Sequence, residues 1–393
     1  MRVFRTIINR YQSLSTVINH KKMSKDTQFN YITYGAKTHA DNIQGFLAHL
    51  LNQLKTSDDR HRVTPLCIWG MHGIGKTELV QEFAKENACQ FTYIAPAQFE
   101  EMGDLLGLPA ADASGTRTKF LPPAWVPRDP GPGILLIDDV NRADDRILRG
   151  IMQLLQNHEL VSWRLPEKWM LVLTANPDGG DYSVTTMDDA MITRMLHVTM
   201  QYDVKAWARW AEKAGIDSRG ISFVLTYPEV VNSRRTTPRS LVQFFNTIQS
   251  IGELKADLEL VRMLAEGCLD RETAVAFTNF VNMDLSKLIP AKEILQAKDF
   301  DEIAKRINGL VNGTPKRLDV LSVIMTRLTN HLLYMAEKLD DKMFDNLRRF
   351  ILMPVIPNDL RLGMAQDLVK SNRSDLKRLY AIPEVGKLIL AKM

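Results

Sequence analysis

One short stretch settles the class of fold, and it reads Gly70-Met71-His72-Gly73-Ile74-Gly75-Lys76-Thr77. It matches the pattern G-x-x-x-x-G-K-[ST] at every fixed position. An apolar run precedes it at residues 66–69, and residues 78–85 continue in a pattern typical of a helix. Glycines let backbone N–H groups approach phosphate oxygens, and the N-terminus of the following helix adds a favourable partial charge. The stretch therefore predicts a phosphate-binding loop between a strand and a helix, because a glycine-rich turn without function would not require those neighbours.

The loop also predicts the ligand. Lys76 is expected to reach the β- and γ-phosphates of ATP, and the Thr77 hydroxyl to hold magnesium (Mg2+). The predicted ATP-binding residues are Gly70, Met71, His72, Gly73, Ile74, Gly75, Lys76, Thr77 and Glu78.

A second apolar run, residues 134–137, ends in two carboxylates, Asp138 and Asp139. In an open α/β sheet, ligands bind just outside the carboxyl ends of the strands. We therefore expect Asp138 to serve magnesium, directly or through water, and Asp139 to orient the attacking water. The alternative is a turn at the protein surface.

A third apolar run, residues 170–174, leads into Ala175-Asn176-Pro177. An asparagine at the end of a neighbouring strand can bond both to water and to the γ-phosphate, and Asn176 is the candidate. Alone, Asn-Pro is only a turn signal, so this prediction depends on the two motifs before it.

Two arginines are further candidates for the site. Arg194 ends a short helix that begins with the capping residue Asp188. Arg239 follows Thr237 and Pro238, which are typical of a helix N-cap and its first position. A cation in the first turn opposes the helix dipole, and the position becomes favourable if an anion lies opposite. For both arginines, the alternative is a solvated surface charge.

The wider pattern predicts an α/β fold with a mostly parallel, five-stranded sheet. Five short apolar runs, at 66–69, 91–94, 134–137, 170–174 and 196–200, are each continuous, as in strands covered on both faces. Beyond about residue 203 only helical patterns remain. The predicted division is a basic, loosely ordered segment (1–40), a nucleotide-binding α/β domain (41–203), a helical lid (204–283) and a helical C-terminal region for a partner (284–393). The basic first residues also resemble an organellar transit segment, and that alternative stays open.

Composition limits the class of protein and the partners and locations that the chain can have. The chain has 393 residues, of which 45% are hydrophobic and 24% charged, as in an ordinary globular protein of two or three domains. A net charge of +4 over this length does not imply nucleic acid, and basic residues near the C-terminus alternate with acidic ones. Since no apolar run has bilayer length, membrane insertion is not expected. Three cysteines without metal-ligand spacing suit a reducing, cytoplasmic location.

Taken in order, these motifs resemble the MoxR-like branch of AAA+ ATPases. Residues 138–143, Asp-Asp-Val-Asn-Arg-Ala, resemble that branch's D-E-[IL]-N-R-A. Residues 104–109 resemble its D-L-x-G-x-P segment, and residues 122–127 resemble the P-P-x-W-[LV]-P of one bacterial subgroup. The resemblance covers about residues 62–283.

The resemblance implies roles beyond those the residues predict. It implies Asn176 as sensor 1, Arg194 as an arginine finger acting on a neighbouring subunit's ATP, and Arg239 as sensor 2 in the lid. It also implies a homo-oligomeric ring, usually hexameric, and a protein partner that often carries a von Willebrand factor A domain. Two departures are evident: Asp139 stands where the family has glutamate, and residues 158–166 leave room for only a small hairpin.

Three functions are compatible with these observations. The leading hypothesis is an ATP-hydrolysing, chaperone-like ring that remodels or activates a protein partner. The second is an assembly switch or scaffold in which ATP binding matters and hydrolysis is slow. A DNA-associated AAA+ loader is the third, and it has the least support because no extended basic stripe is present.

Overall fold

The structure, a computed structural model, describes residues 32–56, 62–179, 184–232, 235–283, 289–312, 316–335, 337–371 and 373–390. Most of the predicted basic segment, residues 1–31, lies outside the described residues.

Eight strands are present in the described residues. They are β1 (Ala36–Thr38), β2 (Leu66–Trp69), β3 (Gln90–Ile94), β4 (Leu108–Ala111), β5 (Thr118–Leu121), β6 (Gly133–Ile137), β7 (Trp169–Ala175) and β8 (Leu196–Met200). Six of them form one sheet in the order β1-β8-β2-β7-β6-β3, and every neighbouring pair is parallel. β4 and β5 form a separate antiparallel hairpin. Because the six strands run in parallel, the carboxyl ends of β2, β6 and β7 meet at one edge of the sheet.

The prediction of a parallel sheet is confirmed, but the predicted number of five strands is wrong. The additional strand is β1, whose three residues lie within the segment expected to be loosely ordered. β1 contains no apolar run: Ala36 and Lys37 are exposed, and pairing with Val198 and its neighbours in β8 fixes the strand. Such a short edge strand depends on a partner distant in sequence, so local periodicity does not reveal it.

The helices of the described residues surround this sheet and extend beyond it. They are α1 (Ala40–Thr56), α2 (Lys76–Glu86), α3 (Met102–Leu106), α4 (Asp145–Asn157), α5 (Asp189–Ile192), α6 (Val204–Lys213), α7 (Ser218–Thr226), α8 (Pro238–Ile248), α9 (Leu258–Cys268), α10 (Arg271–Asn282), α11 (Ala291–Leu295), α12 (Phe300–Val311), α13 (Leu318–Tyr334), α14 (Asp341–Ile351), α15 (Asn358–Lys370) and α16 (Pro383–Leu390). None of the described helices combines the length and apolar character needed to cross a membrane.

Apolar side chains cover the sheet on both faces. On one face, α1 and α2 bury Leu47 and Phe83 against the strands. On the other face, α4 and the residues around α5 do the same with Ile151 and Met191. Burying one such side chain contributes about 1.5–3 kcal/mol, and the strands are apolar on both sides for this reason. The sheet is thereby fixed with its polar carboxyl edge open to solvent.

The helices after residue 203 share one apolar cluster. It extends from Trp207 in α6 to Val385 in α16 and includes Phe223, Phe277 and Leu328. α13 packs against both α6 and α7. The predicted boundary between residues 283 and 284 stays a prediction, but buried side chains from both sides of it belong to this cluster.

Helix α6 contacts three parts of the molecule. Lys213 Nζ donates hydrogen bonds to Glu82 Oε1 at 2.7 Å and Glu86 Oε1 at 2.5 Å, both on α2. Arg209 forms an ion pair with Asp41 on α1. On its other side, Glu212 bonds to His331 Nδ1 on α13 at 2.9 Å. α6 thus joins the sheet domain to the C-terminal helices.

Candidate nucleotide-binding site

The predicted phosphate-binding loop lies where the motif predicts, between β2 and α2. Gly73 and Gly75 have φ angles of 70° and 94°, which glycine adopts without strain. A Cβ built on Gly75 would meet no atom within 4 Å, so the space in front of this residue is open. No side chain caps the start of α2, and its first backbone N–H groups have no partners within the helix. Loop and helix start together form a cradle that fits phosphate groups.

Lys76 lies buried at the back of this cradle. Its Nζ donates to the carbonyl oxygens of Gly70 at 2.8 Å and Met71 at 3.1 Å, and only 5% of the residue is exposed. Burial lowers the pKa of Lys76 to about 8, while the charges of Asp139 and Asp138 act in the opposite direction. A buried ammonium group next to an open cradle is suited to bind an anion.

Asp138 directly follows β6 and lies within a set of hydroxyl groups. Its Oδ1 accepts from Thr77 Oγ1 at 2.7 Å and from Thr174 Oγ1 at 2.6 Å. Its Oδ2 accepts from the Tyr93 phenol at 3.2 Å. The pKa of Tyr93 is raised by burial and, next, by the Asp138 charge. Magnesium in nucleotide sites is bound through one or two carboxylates together with substrate phosphates, and the adjacent Thr77 and Asp138 oxygens fit that ion.

Asp139 begins the 3₁₀ turn at Val140–Arg142 in a left-handed conformation, with φ 47° and ψ 46°. Its Oδ1 accepts from Asn176 Nδ2 at 2.9 Å, and its Oδ2 lies 3.3 Å from Arg142 Nε. Its backbone N–H donates to Thr174 Oγ1 at 2.8 Å. The carboxylate is therefore held beside the cradle by an amide and a guanidinium group.

Asn176 connects these parts. Its Oδ1 accepts from Lys76 Nζ at 3.2 Å, while its Nδ2 donates to Asp139. Its backbone is fixed by Asn141, which donates to Asn176 O at 2.8 Å and accepts from Asn176 N at 3.1 Å. Both asparagines are fully buried. This reciprocal pair sets the position of the Asn176 amide at the end of β7.

Arg239 approaches the cradle from α8, a helix of the predicted lid. Its backbone N–H donates to Gly73 O at 3.1 Å, and Thr237 is the N-cap of α8, accepting from the Ser240 N–H. The Arg239 charge contributes to lowering the pKa values of His72 and Lys76, although burial is the largest cause in both cases. α8 therefore brings a cation to the loop, where a phosphate would offset the unfavourable helix dipole.

Arg194 is the one predicted arginine that the structure places elsewhere. Its guanidinium donates to Gln156 Oε1, at 3.2 Å from Nε and 3.1 Å from Nη2, and to the Ala190 carbonyl. Asp188 caps α5 as predicted, accepting from the Met191 N–H. Arg194 is thus bound to α4 and α5 of its own chain rather than to the loop.

The structure also shows contributions that the motifs did not predict. Thr174 bonds to both aspartates, Asn141 fixes Asn176, and Arg142 pairs with Asp139. For Thr174, the sequence did contain a signal, namely a threonine near the end of an otherwise apolar strand. Asn141 and Arg142 belong to the family pattern at residues 138–143, which by itself assigns them no role.

A cleft of about 1230 Å³ extends from the cradle along α6 toward the C-terminal helices. Its lining includes Gly73, Gly75 and Arg239 as well as Arg327 and His331. The cradle therefore opens into a space bounded by all three parts of the molecule.

Residues 65–195 match the AAA domain of the dynein-related subfamily. A relative from Rhodococcus erythropolis, described as an ATP-dependent protease ATP-binding subunit-like protein, is 34% identical over 113 residues. That match covers 26% of this chain and 32% of the relative, so the chain spans about a third of its length.

Solved structures with some likeness include the RuvB Holliday junction branch migration motor of Thermotoga maritima. It is 16% identical, with a TM-score of 0.36, over 78% of this chain and 94% of that chain. A single-substitution variant of the same protein is 15% identical, with a TM-score of 0.36, over 79% of this chain and 95% of that chain. TM-scores this low are not evidence for a shared fold. The fold is established by the order and direction of the strands.

The family match encloses the loop, both aspartates, Asn176 and Arg194. Residues 65–195 accordingly form an AAA+ ATPase domain.

Proposed function

We propose that this chain binds ATP with magnesium, hydrolyses the γ-phosphate bond, and uses the cycle in a ring that remodels or activates a protein partner. One observation carries the catalytic part of the proposal. Lys76, Thr77, Asp138, Asp139 and Asn176 come from three separate segments, yet hydrogen bonds connect them at one edge of the sheet. That edge is where an open α/β sheet binds its ligand.

Each side chain has a definite role in this mechanism. The loop N–H groups and Lys76 bind the phosphates, while Thr77 and Asp138 hold magnesium. Bound magnesium neutralises charge that develops on the phosphate oxygens. Asp139 and Asn176 bond to the attacking water and orient it toward the γ-phosphate. For this, Asp139 must exchange its present contact with Arg142 for a contact with water.

The finer assignment rests on the MoxR-like motifs. We propose that Arg194 completes the site of a neighbouring subunit, since its guanidinium lies outside the site of its own chain. Arg239 serves as the lid's contact to the phosphates. A hexameric ring and a partner with a von Willebrand factor A domain belong to the same proposal and rest on the resemblance alone.

A second function, the assembly switch, is favoured by two contacts of the Asp139 carboxylate. Asp139 is shorter than the family's glutamate by one methylene, and Arg142 and Asn176 both occupy its oxygens. A base held in this way would hydrolyse ATP slowly. The rate of steady-state ATP hydrolysis by the assembled protein separates the motor from the switch.

Complementation tests the shared site. Neither Lys76→Ala nor Arg194→Ala alone should form an active assembly, because every site lacks one half. In mixtures, some interfaces join an intact Lys76 to an intact Arg194, so ATP hydrolysis should partly return. Mixtures that co-assemble and stay inactive would contradict the proposal.

The partner requires a separate experiment. Affinity capture from the native host in the presence of ATP, repeated with ADP, should retain a protein only in the ATP state. Equal capture in both states would contradict nucleotide-controlled remodelling.

A further inference from the structure

The side chain of His197, on β8, bridges two segments that are far apart in sequence. The Trp69 indole N–H donates to His197 Nδ1 at 3.0 Å. His197 Nε2 lies 2.7 Å from the carbonyl oxygen of Ile192. An indole nitrogen can only donate, so Nδ1 must carry a lone pair; a carbonyl can only accept, so Nε2 must carry the proton. The two contacts together define one neutral tautomer that makes both bonds.

The two bonded residues lie next to the two halves of the proposed shared site. Trp69 is the last residue of β2 and directly precedes Gly70, the first residue of the phosphate-binding loop. Ile192 is the last residue of α5, two positions before Arg194. His197 therefore connects the start of this chain's own loop to the helix that carries the arginine offered to a neighbour.

The surroundings hold the imidazole in place. Trp69 is 1% exposed and shares an apolar cluster with Met191 and Met195, which flank Ile192 and Arg194. The Tyr34 ring lies 4.9 Å from the Trp69 ring and 5.6 Å from the His197 ring, measured between centroids. With contacts on several sides, the ring has little freedom to turn away from either bond.

Helix α5 depends on such contacts. It has only four residues, and a helix of this length is not stable by itself. Asp188 caps its N-terminus. At its C-terminus, where carbonyl groups lack helical partners, the Ile192 carbonyl accepts from His197 and from the Met195 N–H at 3.2 Å. Without the imidazole, the Ile192 carbonyl at the end of α5 nearest Arg194 loses its hydrogen bond to a β8 side chain.

We propose that His197 is a positioning residue for Arg194, which it holds at a fixed place relative to the phosphate-binding loop of the same subunit. The inference rests on the proposed function, in which Arg194 acts on a neighbour's ATP. The side-chain hydrogen bonds of His197 go to Trp69 and Ile192, so it acts through α5. A change in the loop of one subunit would reach the next subunit's site through Trp69, His197 and Ile192.

The test uses the full chain carrying His197→Phe, which retains a ring beside Tyr34 and removes both hydrogen bonds. ATP binding should change by less than about threefold, since no phosphate or magnesium contact is lost. ATP hydrolysis should fall by about tenfold to a hundredfold, the usual cost of misplacing a catalytic group by about 1 Å.

Complementation distinguishes a misplaced Arg194 from a general structural defect of the His197→Phe protein. Mixed with Lys76→Ala, the His197→Phe protein should regain activity, because its own sites then meet a well-placed Arg194. Mixed with Arg194→Ala, it should stay at or below its own low rate, because no interface has a well-placed arginine. A structural defect would not produce this asymmetry.

Two tryptophan variants provide a matched comparison. Trp69→Phe removes the indole N–H together with part of the buried ring, and it should show the same asymmetry with a smaller loss of rate. Trp163→Phe removes a buried indole that donates to Leu105 O at 3.1 Å, on the same face of the sheet, and should keep normal ATP hydrolysis. If His197→Phe does not fold, Trp69→Phe decides the question by itself.

Each outcome is decisive. If His197→Phe or Trp69→Phe restores activity to Arg194→Ala, His197 acts on its own site and the inference is wrong, whereas the shared site stands. If Lys76→Ala and Arg194→Ala do not complement each other in mixed assemblies, the shared site itself is wrong, and the inference fails with it.

Discussion

At the scale of single residues, the ammonium group of Lys76 links nucleotide binding to protons. Burial lowers its pKa to about 8 in the free protein, and nearby phosphate charges would raise that value. Above the free-state pKa, binding ATP requires proton uptake. From about pH 7 to about pH 9, ATP affinity should therefore weaken, by up to about tenfold per pH unit at the upper end. Calorimetry in buffers of different ionisation enthalpy should detect the protons taken up.

The control for this pH dependence is His72→Ala. The pKa of His72 is lowered, with burial as the largest cause, so this residue is neutral throughout the alkaline range. Its removal should leave proton uptake above neutral pH unchanged. ATP affinity that is flat with pH would contradict the role of Lys76 as the phosphate ligand.

Substitution of Lys76 itself should remove tight ATP binding while the fold survives. Lys76→Ala removes the buried cation, whose partners Gly70 O and Met71 O lie at the open cradle and can bond to water. Equilibrium titration with a fluorescent ATP analogue measures the loss, and circular dichroism checks the fold. Normal affinity in a folded variant would refute the site.

Asp139→Glu should hydrolyse ATP faster than the natural protein without binding it more tightly. Glutamate extends the carboxylate by roughly 1 Å, and misplacement on that scale can cost about a hundredfold in rate. The phosphate and magnesium contacts come from Lys76, Thr77 and Asp138, so affinity should hardly change. Single-turnover hydrolysis at saturating ATP, with assembly verified, measures the effect.

The opposing result has its own structural basis. Asp139 has a left-handed backbone and already bonds to Asn176 and Arg142. A longer side chain could crowd these partners, in which case Asp139→Glu would be slower and Asp139 would be the adapted base. Equal, negligible rates in both proteins would favour the assembly switch.

The sequence predicted the place of each strand-end residue, but not the bonds among them. Asp138, Asp139 and Asn176 follow apolar runs, and a parallel sheet brings the ends of such runs together. Thr174 contributes by bonding to two aspartates that follow another strand, and these bonds depend on the orientation of its side chain. The pairing of Asn141 with Asn176 joins residues 35 positions apart. These relations are set by tertiary packing, which local patterns do not encode.

At the scale of elements, helix α8 of the predicted lid and the phosphate-binding loop meet at Gly73. A Cβ on Gly73 would lie 2.9 Å from Thr237 Oγ1 and 3.2 Å from Thr237 Cβ, whereas a Cβ on Gly75 would meet nothing. Both glycines have positive φ, so replacement of either by alanine should cost about 1–2 kcal/mol of backbone strain. Gly73→Ala should be destabilised further, because the lid must also move away.

Thermal unfolding of the two variants without nucleotide measures this difference. Gly75→Ala is the control for strain alone. Limited proteolysis should additionally cut Gly73→Ala faster near residue 237 if the lid has separated from the loop. Equal stability and equal cleavage would show that α8 does not rest on Gly73.

The elements that the sequence missed share a physical property. The central strands β2, β6 and β7 are buried along their whole length, and burial on both faces leaves a signal in composition. The edge strand β3 is partly exposed but still contains the apolar residues Phe91, Tyr93 and Ile94. β1 is an edge strand held by β8, and the β4–β5 hairpin carries exposed leucines, Leu108 and Leu121, at its base. Exposed strands have no such signal, so their pairing appears only in three dimensions.

At the scale of the whole molecule, the helices after residue 203 should not survive division at the predicted boundary. Removing residues 284–393 would expose apolar side chains of α6, α7 and α10 that now belong to one cluster. The shortened chain should aggregate or unfold at lower temperature. Size-exclusion chromatography and thermal unfolding measure this result. Removal of residues 1–31, which keeps every described side chain of this cluster, is the control; equal behaviour of both truncations would contradict the shared core.

Helix α6 can also transmit mechanical force between the C-terminal helices and the nucleotide cleft. Its Arg209 forms an ion pair with α1, and its Lys213 donates hydrogen bonds to α2, beside the nucleotide cleft. Its Glu212 bonds to His331 on α13. A pull on the C-terminal helices therefore acts on the cleft through α6. Because coupling between two sites is reciprocal in free energy, nucleotide that closes the cleft would resist such a pull. We expect tension on the C-terminal helices to lower the affinity for nucleotide.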